Sequence, residues 1–529
     1  MAYRKNRVIG RRDFLSWIGA AWPFSAMSNC YWVDEFDATQ LCAVGFLPPL
    51  PEYWVRWDDG DSLDGSPAAR TYEWPDERAA KSAKVAASSG ENGIIVVAAN
   101  YPYGDHANGY TVETYCAQYS TDYGFTYSAP VEYQTWQQGS TTGGYTAANA
   151  NYQDTYYHNG TSIDYDGSRF VIVNDIGNNE GYTPTNPYST IVTAVSTDGQ
   201  NWTVNTVANT KYNVQRCAAY GGDIWYLSNN DYEALVGTED YYYLINYSAN
   251  DGASWATTAL GSNNGVTSNW NSPREEYCAI SANSTGCHVL AEVYDEIAPN
   301  DYGNYYWRPT SASTWAAPIL LWDFDNDFPT APGTRAQDFG VQILACRVND
   351  ANLIIAATMA SDYTSIWIKR STDGGQNWSA EEQALDVIGG SPYSEYFHQF
   401  DAQNIFRLVE LDDGRLVLVF IVDAQFTGYL VNADGVDNNH PAWMTYCVSE
   451  DQGVTWSPVT YLTPWWVADF LYYGERIEVA ARGVDVVALA TSREKGSFSY
   501  IFRPTSTPNT ENLRPPSMTL PTTPTTGWP

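Results

Sequence analysis

Ser371-Thr372-Asp373-Gly374-Gly375-Gln376-Asn377-Trp378 decides how this chain folds, because the same stretch returns elsewhere in it. The spacing recurs at Ser120 to Tyr127, Ser248 to Trp255 and Ser449 to Trp456, and one residue shorter at Ser196 to Trp202. Each copy opens on Ser, places Asp or Asn two residues later (Asp122, Asp198, Asn250, Asp373, Asp451), passes through Gly, and closes on an aromatic ring (Tyr127, Trp202, Trp255, Trp378, Trp456). The residue types predict a tight turn. An Asp or Asn side chain bonds nearby backbone N–H groups, and Gly takes the positive φ that the turn needs. The ring supplies a large apolar body to bury beneath it. A turn that recurs every few tens of residues predicts a repeat architecture.

Between these turns runs a second repeat: a small-residue strand, a Gly/Asp/Asn turn, and an apolar β-rich strand. It occurs at Val85–Asn100, Ile163–Asp175, Cys217–Ser228, Cys278–Tyr294, Ala345–Ala357, Leu408–Phe420 and Val479–Ala490. Leu408 to Phe420, two apolar runs around Asp413-Gly414, is the clearest copy. After the fourth hairpin, Ser311-Ala-Ser-Thr-Trp315 stands as a degenerate version of the recurring turn. A hairpin followed by a turn-bearing hairpin makes four antiparallel strands, which is one propeller blade. The predicted fold is therefore all-β, a single propeller of seven blades, with six as the alternative. The seventh hairpin is followed only by Phe498 to Phe502, so a strand from before the first hairpin, around Arg70–Trp74, is expected to complete it. Such closure removes exposed sheet edges.

The pattern S-x-[D/N]-x-G-x-[S/T]-W resembles the Asp box, or BNR repeat, of the sialidase-like β-propellers. The resemblance covers roughly residues 70–503. It implies that the five Asp/Asn residues and their rings are structural, at the rim of the blades and away from any ligand. It also implies that ligands bind where the innermost strands meet the central channel, and that sialidases hold a carboxylate there with an Arg triad.

Just before the inner strands of this chain stand Arg216, Arg274, Arg335, Arg407 and Arg476, with Glu275, Glu276, Asp338, Asp401, Glu475 and Glu478 beside them. Arg groups converging from several blades suit a carboxylate ligand, because the guanidinium fork binds it bidentately. The alternative is that these charges pair across blades. The family's opening motif, [F/Y]-R-[I/L/V]-P, has no match in the first blade, where Lys84-Val-Ala-Ala stands. Tyr472-Tyr-Gly-Glu475-Arg476 supplies the residue types of a sialidase nucleophile and base, though that family takes them from separate strands. A different glycosidase needs two carboxylates at suitable separation, for which Glu275 or Glu276 with Asp401 or Glu478 are the pairs.

The chain has 529 residues and a net charge of −34, which argues against nucleic acid or an anionic membrane as partner. Its 41 Tyr and 21 Trp serve strands and turns, and also suit a stacking surface for sugars or a protein interface. No zinc spacing occurs among the eight Cys. Cys278 and Cys287 flank the fourth hairpin turn, which suggests a cross-strand disulfide in an oxidising compartment, or else two buried thiols. Asp323-Phe-Asp325-Asn-Asp327 resembles the first half of a Ca²⁺ loop, against the plainer reading of a solvated acidic loop; no other cofactor is suggested.

Residues 1–30 are basic (Arg4, Lys5, Arg7, Arg11, Arg12) and then apolar from Phe14 to Met27, the layout of an export signal or an assembly anchor. Gly10-Arg-Arg-Asp-Phe-Leu15 resembles the twin-arginine export motif. Residues 31–75 read as an irregular lead-in, 76–503 as the propeller, and 504–529 as a Pro/Thr-rich tail. No stretch beyond the N-terminal one approaches a membrane span. Two functions are expected from these features. One is an extracellular, virion or cell-surface propeller that contacts glycans or neighbouring subunits without catalysis. The other is a secreted sialidase-like glycoside hydrolase.

Overall fold

The second strand of each hairpin is rich in apolar and β-branched residues, as in Leu416–Asp423 and Asp485–Ser492, and a continuous run of that kind suits a strand buried on both faces between neighbouring sheets. A computed structural model of the chain describes residues 55–56, 81–90, 93–105, 110–122, 124, 126–138, 161–176, 189–210, 214–229, 243–260, 278–293, 303–323, 341–359, 365–386, 406–423, 440–461, 466–468, 477–492 and 496–506. Among them there is no helix, and the strands form seven four-stranded antiparallel blades of a β-propeller. One blade carries an extra outer strand, Trp466–Ala468, and one short hairpin, Pro309–Ser311 with Thr314–Trp315, lies outside the blades.

The innermost strands are Lys81–Ala87, Thr161–Tyr165, Val214–Tyr220, Cys278–Asn283, Val341–Ala345, Phe406–Glu410 and Ile477–Arg482, in blades 1 to 7. Each contacts the next, and the last contacts the first, so the ring is closed. Seven apolar clusters fill the seven seams, one between each pair of neighbouring blades. The expected hairpins all form, each as the two inner strands of its blade.

Blade 7 takes its outermost strand from the N-terminal side of the chain, at Val55–Arg56 paired with Ser499 and Phe498. The closing strand therefore lies upstream of the expected Arg70–Trp74, which is outside the described residues. The predicted disulfide does not form. Cys278 sits opposite Ala291 and Cys287 opposite Ala282, so the two are four rungs apart. At about 3.4 Å per residue that is beyond the reach of a disulfide. Both are buried in the seam between blades 3 and 4.

The antiparallel order gives the propeller two unlike faces. The first-to-second and third-to-fourth strand connections lie on one, here the turn face. The second-to-third connections and the blade-to-blade connections start from the other, the loop face. The recurring turns all join third to fourth strands. In blade 5, the Ser371 hydroxyl donates to Asp373 Oδ1 (2.7 Å) and accepts from the Gly375 N–H (2.8 Å). Asp373 accepts from the backbone and side chain of Asn377 at 2.9 and 2.7 Å. Those bonds hold the Asp373 carboxyl down at about 2. The same bond set, with Thr in place of Asn in some copies, forms around Asp122, Asp198 and Asp451, while Asn250 accepts from the Ser254 N–H and its amide donates to the Ser254 hydroxyl.

Each turn is packed backwards onto the preceding blade. Trp202 joins the cluster between blades 1 and 2, Trp255 that between 2 and 3, Trp378 that between 4 and 5, and Trp456 that between 5 and 6. Tyr127 closes the ring by packing against blade 7. The degenerate copy in blade 4 forms the short extra hairpin, and Trp315 still fills the seam with blade 3.

Candidate functional site at the channel

The inner strands bring four charged side chains together. Lys84 in blade 1, Arg216 in blade 3 and Arg407 in blade 6 all meet Glu478 in blade 7. Lys84 Nζ donates to Glu478 Oε1 at 2.5 Å and an Arg216 nitrogen to the same oxygen at 3.4 Å. Arg407 grips both oxygens, at 2.9 and 3.2 Å, and also donates to the carbonyl of Phe406 at 2.9 Å. Blades 3 and 7 are not neighbours in the ring, so the Arg216–Glu478 contact spans the channel. Arg216, Arg407 and Glu478 each sit near the start of their strands, in the loop-face half.

Burial alone would raise the Glu478 carboxyl. The charges of Arg407, Lys84 and Arg216 outweigh it and hold the group well below the usual carboxylate range. Glu478 is thus an ionised acceptor at neutral pH. A general acid needs the opposite, a carboxyl whose proton is retained near pH 7.

A second crossing closes the other end. Arg347, at the end of the inner strand of blade 5, donates to the carbonyls of Tyr165, Ala219 and Ala282 (2.5, 2.9 and 2.8 Å) and to Asp164 (2.8 Å). These partners belong to blades 2, 3 and 4, and the guanidinium also lies 5.8 Å from the ring centre of Tyr220. Glu410 of blade 6 accepts from the backbone N–H groups of Arg347, Val348 and Asn349. The turn-face end of the channel is therefore bridged by one side chain reaching from blade 5 to blade 2.

Of the expected site residues, Arg216, Arg407 and Glu478 converge. Arg274, Glu275, Glu276, Arg335, Asp401, Tyr472, Glu475 and Arg476 lie outside the described residues, as do Asp325 and Asp327 of the acidic loop. Asp323 ends the outer strand of blade 4, opposite Gly303. Among the described residues no group of three or more His, Cys, Asp or Glu is placed to hold a metal ion. Lys84 and Arg347 were not expected at the site. Lys84 had a signal, a charged residue in a run of small ones at the place where a family motif fails. Arg347 had none, since its partners are distant in sequence.

No family model matches the chain, and no curated protein does. Among solved structures it is similar to a mutant of Trypanosoma rangeli sialidase displaying trans-sialidase activity, at 13% identity and a TM-score of 0.35 over 85% of this chain and 58% of that one. It is also similar to a mutant of the NanB sialidase from Streptococcus pneumoniae (14% identity, TM-score 0.37, 87% and 71% covered). A third is the α-L-arabinofuranosidase Arb93A from Fusarium graminearum (9% identity, TM-score 0.38, 82% and 94% covered). The chain thus spans little more than half the length of the first. The seven-bladed fold rests on the strand pairing, not on these likenesses.

Proposed function

We propose that this protein is an exported or surface-displayed recognition propeller that contacts glycans or neighbouring protein subunits through its loop face and does not cleave what it binds. The observation that carries this reading is the use made of the channel charges. Glu478 is engaged by cations from three other blades, and Arg347 crosses from wall to wall at the far end. Charges so engaged brace the ring rather than stand ready for proton transfer. The recurring turns, read as Asp boxes, serve the same scaffold. The basic and apolar N-terminal segment supports export or display, and the abundant Tyr and Trp support stacking against sugars or packing at an interface.

Incubation of the purified chain with a mixed pool of sialylated and neutral glycans, followed by mass spectrometry, tests this. Intact glycan masses, retained or not, are expected. New, shorter masses would overturn the reading in favour of a glycoside hydrolase and make Arg407 and Glu478 the first residues to substitute.

A further inference from the structure

Six of the seven seams hold a ring from a third-to-fourth-strand turn: Tyr127, Trp202, Trp255, Trp315, Trp378 or Trp456. Among the described residues the seam between blades 6 and 7 holds none, because the fourth strand of blade 7 comes from the other end of the chain. At that place the chain does something else. Beyond Phe502 it turns onto blade 6, where the Pro504 carbonyl accepts from Arg415 at 2.6 Å. The Thr505 N–H donates to the Tyr446 hydroxyl (3.4 Å), and the Ser506 hydroxyl donates to Glu450, inside the recurring turn of blade 6 (2.5 Å). Arg503 is tied to Asp485 of blade 7 at 2.7 and 3.1 Å. The rings of Phe502 and Tyr446 meet across the seam, tilted by 31° with centres 5.1 Å apart.

We infer that residues 503–506 are a strap that replaces the missing turn, so that blade 7 is a clasp fastened by both parts of the chain that flank the ring. Val55–Arg56 fastens its outer edge, and the strap fastens its turn-face corner to blade 6. The directions of the two are informative. Arg56 lies opposite Phe498 and Val55 opposite Ser499, so Val55 is the turn-face end of that short strand. The strap leaves on that face too, beside Glu450. A partner that takes hold of the Pro/Thr-rich tail therefore acts directly on this seam, through four residues of chain.

Two truncations of the full chain test the strap, one ending at residue 506 and one at 502. The first is expected to melt with the full chain. The second is expected to melt earlier, by about 2 °C or more. Its amide hydrogen exchange is expected to quicken in strands His440–Ser449 and Gly496–Phe502 but not at the seam between blades 2 and 3. Equal melting and equal exchange of the two truncations would overturn the inference. If the chain ending at 502 does not fold, the full-length Tyr446→Phe, Ser506→Ala double variant replaces it. Quickened exchange confined to the same two strands supports the strap, and unchanged exchange there overturns it.

Discussion

On the turn face, each motif is made by residues within a few positions of one another: Asp373 is held by Asn377, Asp198 by Asn201 and Asp451 by Thr455. In the loop-face half of the channel the partners are far apart in sequence. Glu478 meets Arg407, Arg216 and Lys84 across 71, 262 and 394 positions. The turns work by repetition: six similar wedges, each sealing one seam, so that the loss of one is a local injury. The channel works by convergence, since one carboxylate ties together blades that are not neighbours. The same seven sheets thus carry a redundant face and a non-redundant centre, and the two should fail differently.

The largest effect should follow from removing the hub. Glu478→Ala takes away the carboxylate that Lys84, Arg216 and Arg407 all contact, and should cost about 3–5 kcal/mol, the usual price of breaking a buried ion pair on one side. Denaturant unfolding measures it. Because the carboxyl's pKa is depressed in the folded chain, its contribution is present above the unfolded value near 4.5 and is lost as pH falls below it. The variant should therefore approach the parent in acid. A variant as stable as the parent at pH 7 would show that the centre is as dispensable as any one turn.

A turn substitution should cost less. Gly375 has φ +84°, and an added Cβ would run into the Tyr306 side chain of blade 4. Gly375→Ala should destabilise by about 1–3 kcal/mol through overpacking. Its increased hydrogen exchange should be confined to the seam between blades 4 and 5. Spread to all seams would break the comparison, because it would make a single turn a global element.

These two residues also mark what could be read from the sequence. The Asp373 turn and the hairpin of Leu408 to Phe420 were legible because their chemistry is complete within a short window. The seven blades followed from counting such windows. Val55–Arg56 was misplaced because a two-residue closing strand has no window of its own; its position is set by the pairing with Ser499 and Phe498. Cys278 and Cys287 looked paired by their place around a turn, but register decides which residues face each other. For Glu478 the residue type is plain in the sequence, while its partners come only from the closed ring. Arg347 depended on that ring entirely.

Within blade 4, His288 offers a graded test. Its ring bonds the Tyr306 hydroxyl (2.6 Å) and the Thr285 hydroxyl (2.8 Å), and burial, with the charge of Arg308 added, pushes its pKa down to about 3. Below the ordinary value of 6.5 the unfolded chain takes up a proton that the folded chain refuses. Stability should therefore fall as pH drops from 6.5 towards 3. His288→Gln should remove that part of the slope while leaving the loss of the Glu478 contribution below pH 4.5. Unfolding series at pH 7, 6, 5 and 4 would separate the two, and an unchanged slope between 6 and 5 would show that His288 is not held neutral.

The smallest expected effect tests where turn-face contacts stop being local. Asp413 and Arg415 pair at 2.7 Å on the blade 6 hairpin, with the Asp413 side chain 37% exposed. A pair so exposed contributes about 0–1 kcal/mol, so Asp413→Ala should be nearly silent. Arg415 also donates to the Pro504 carbonyl and thus belongs to the clasp as well. Arg415→Ala should therefore exceed Asp413→Ala in the full chain. In the chain ending at 502, where the strap is gone, the two should become equal. Unequal losses in the shortened chain would assign the excess to packing of the Arg415 stem within blade 6. Equal losses in both chains would leave Arg415 a purely local residue, like its neighbours in the recurring turns.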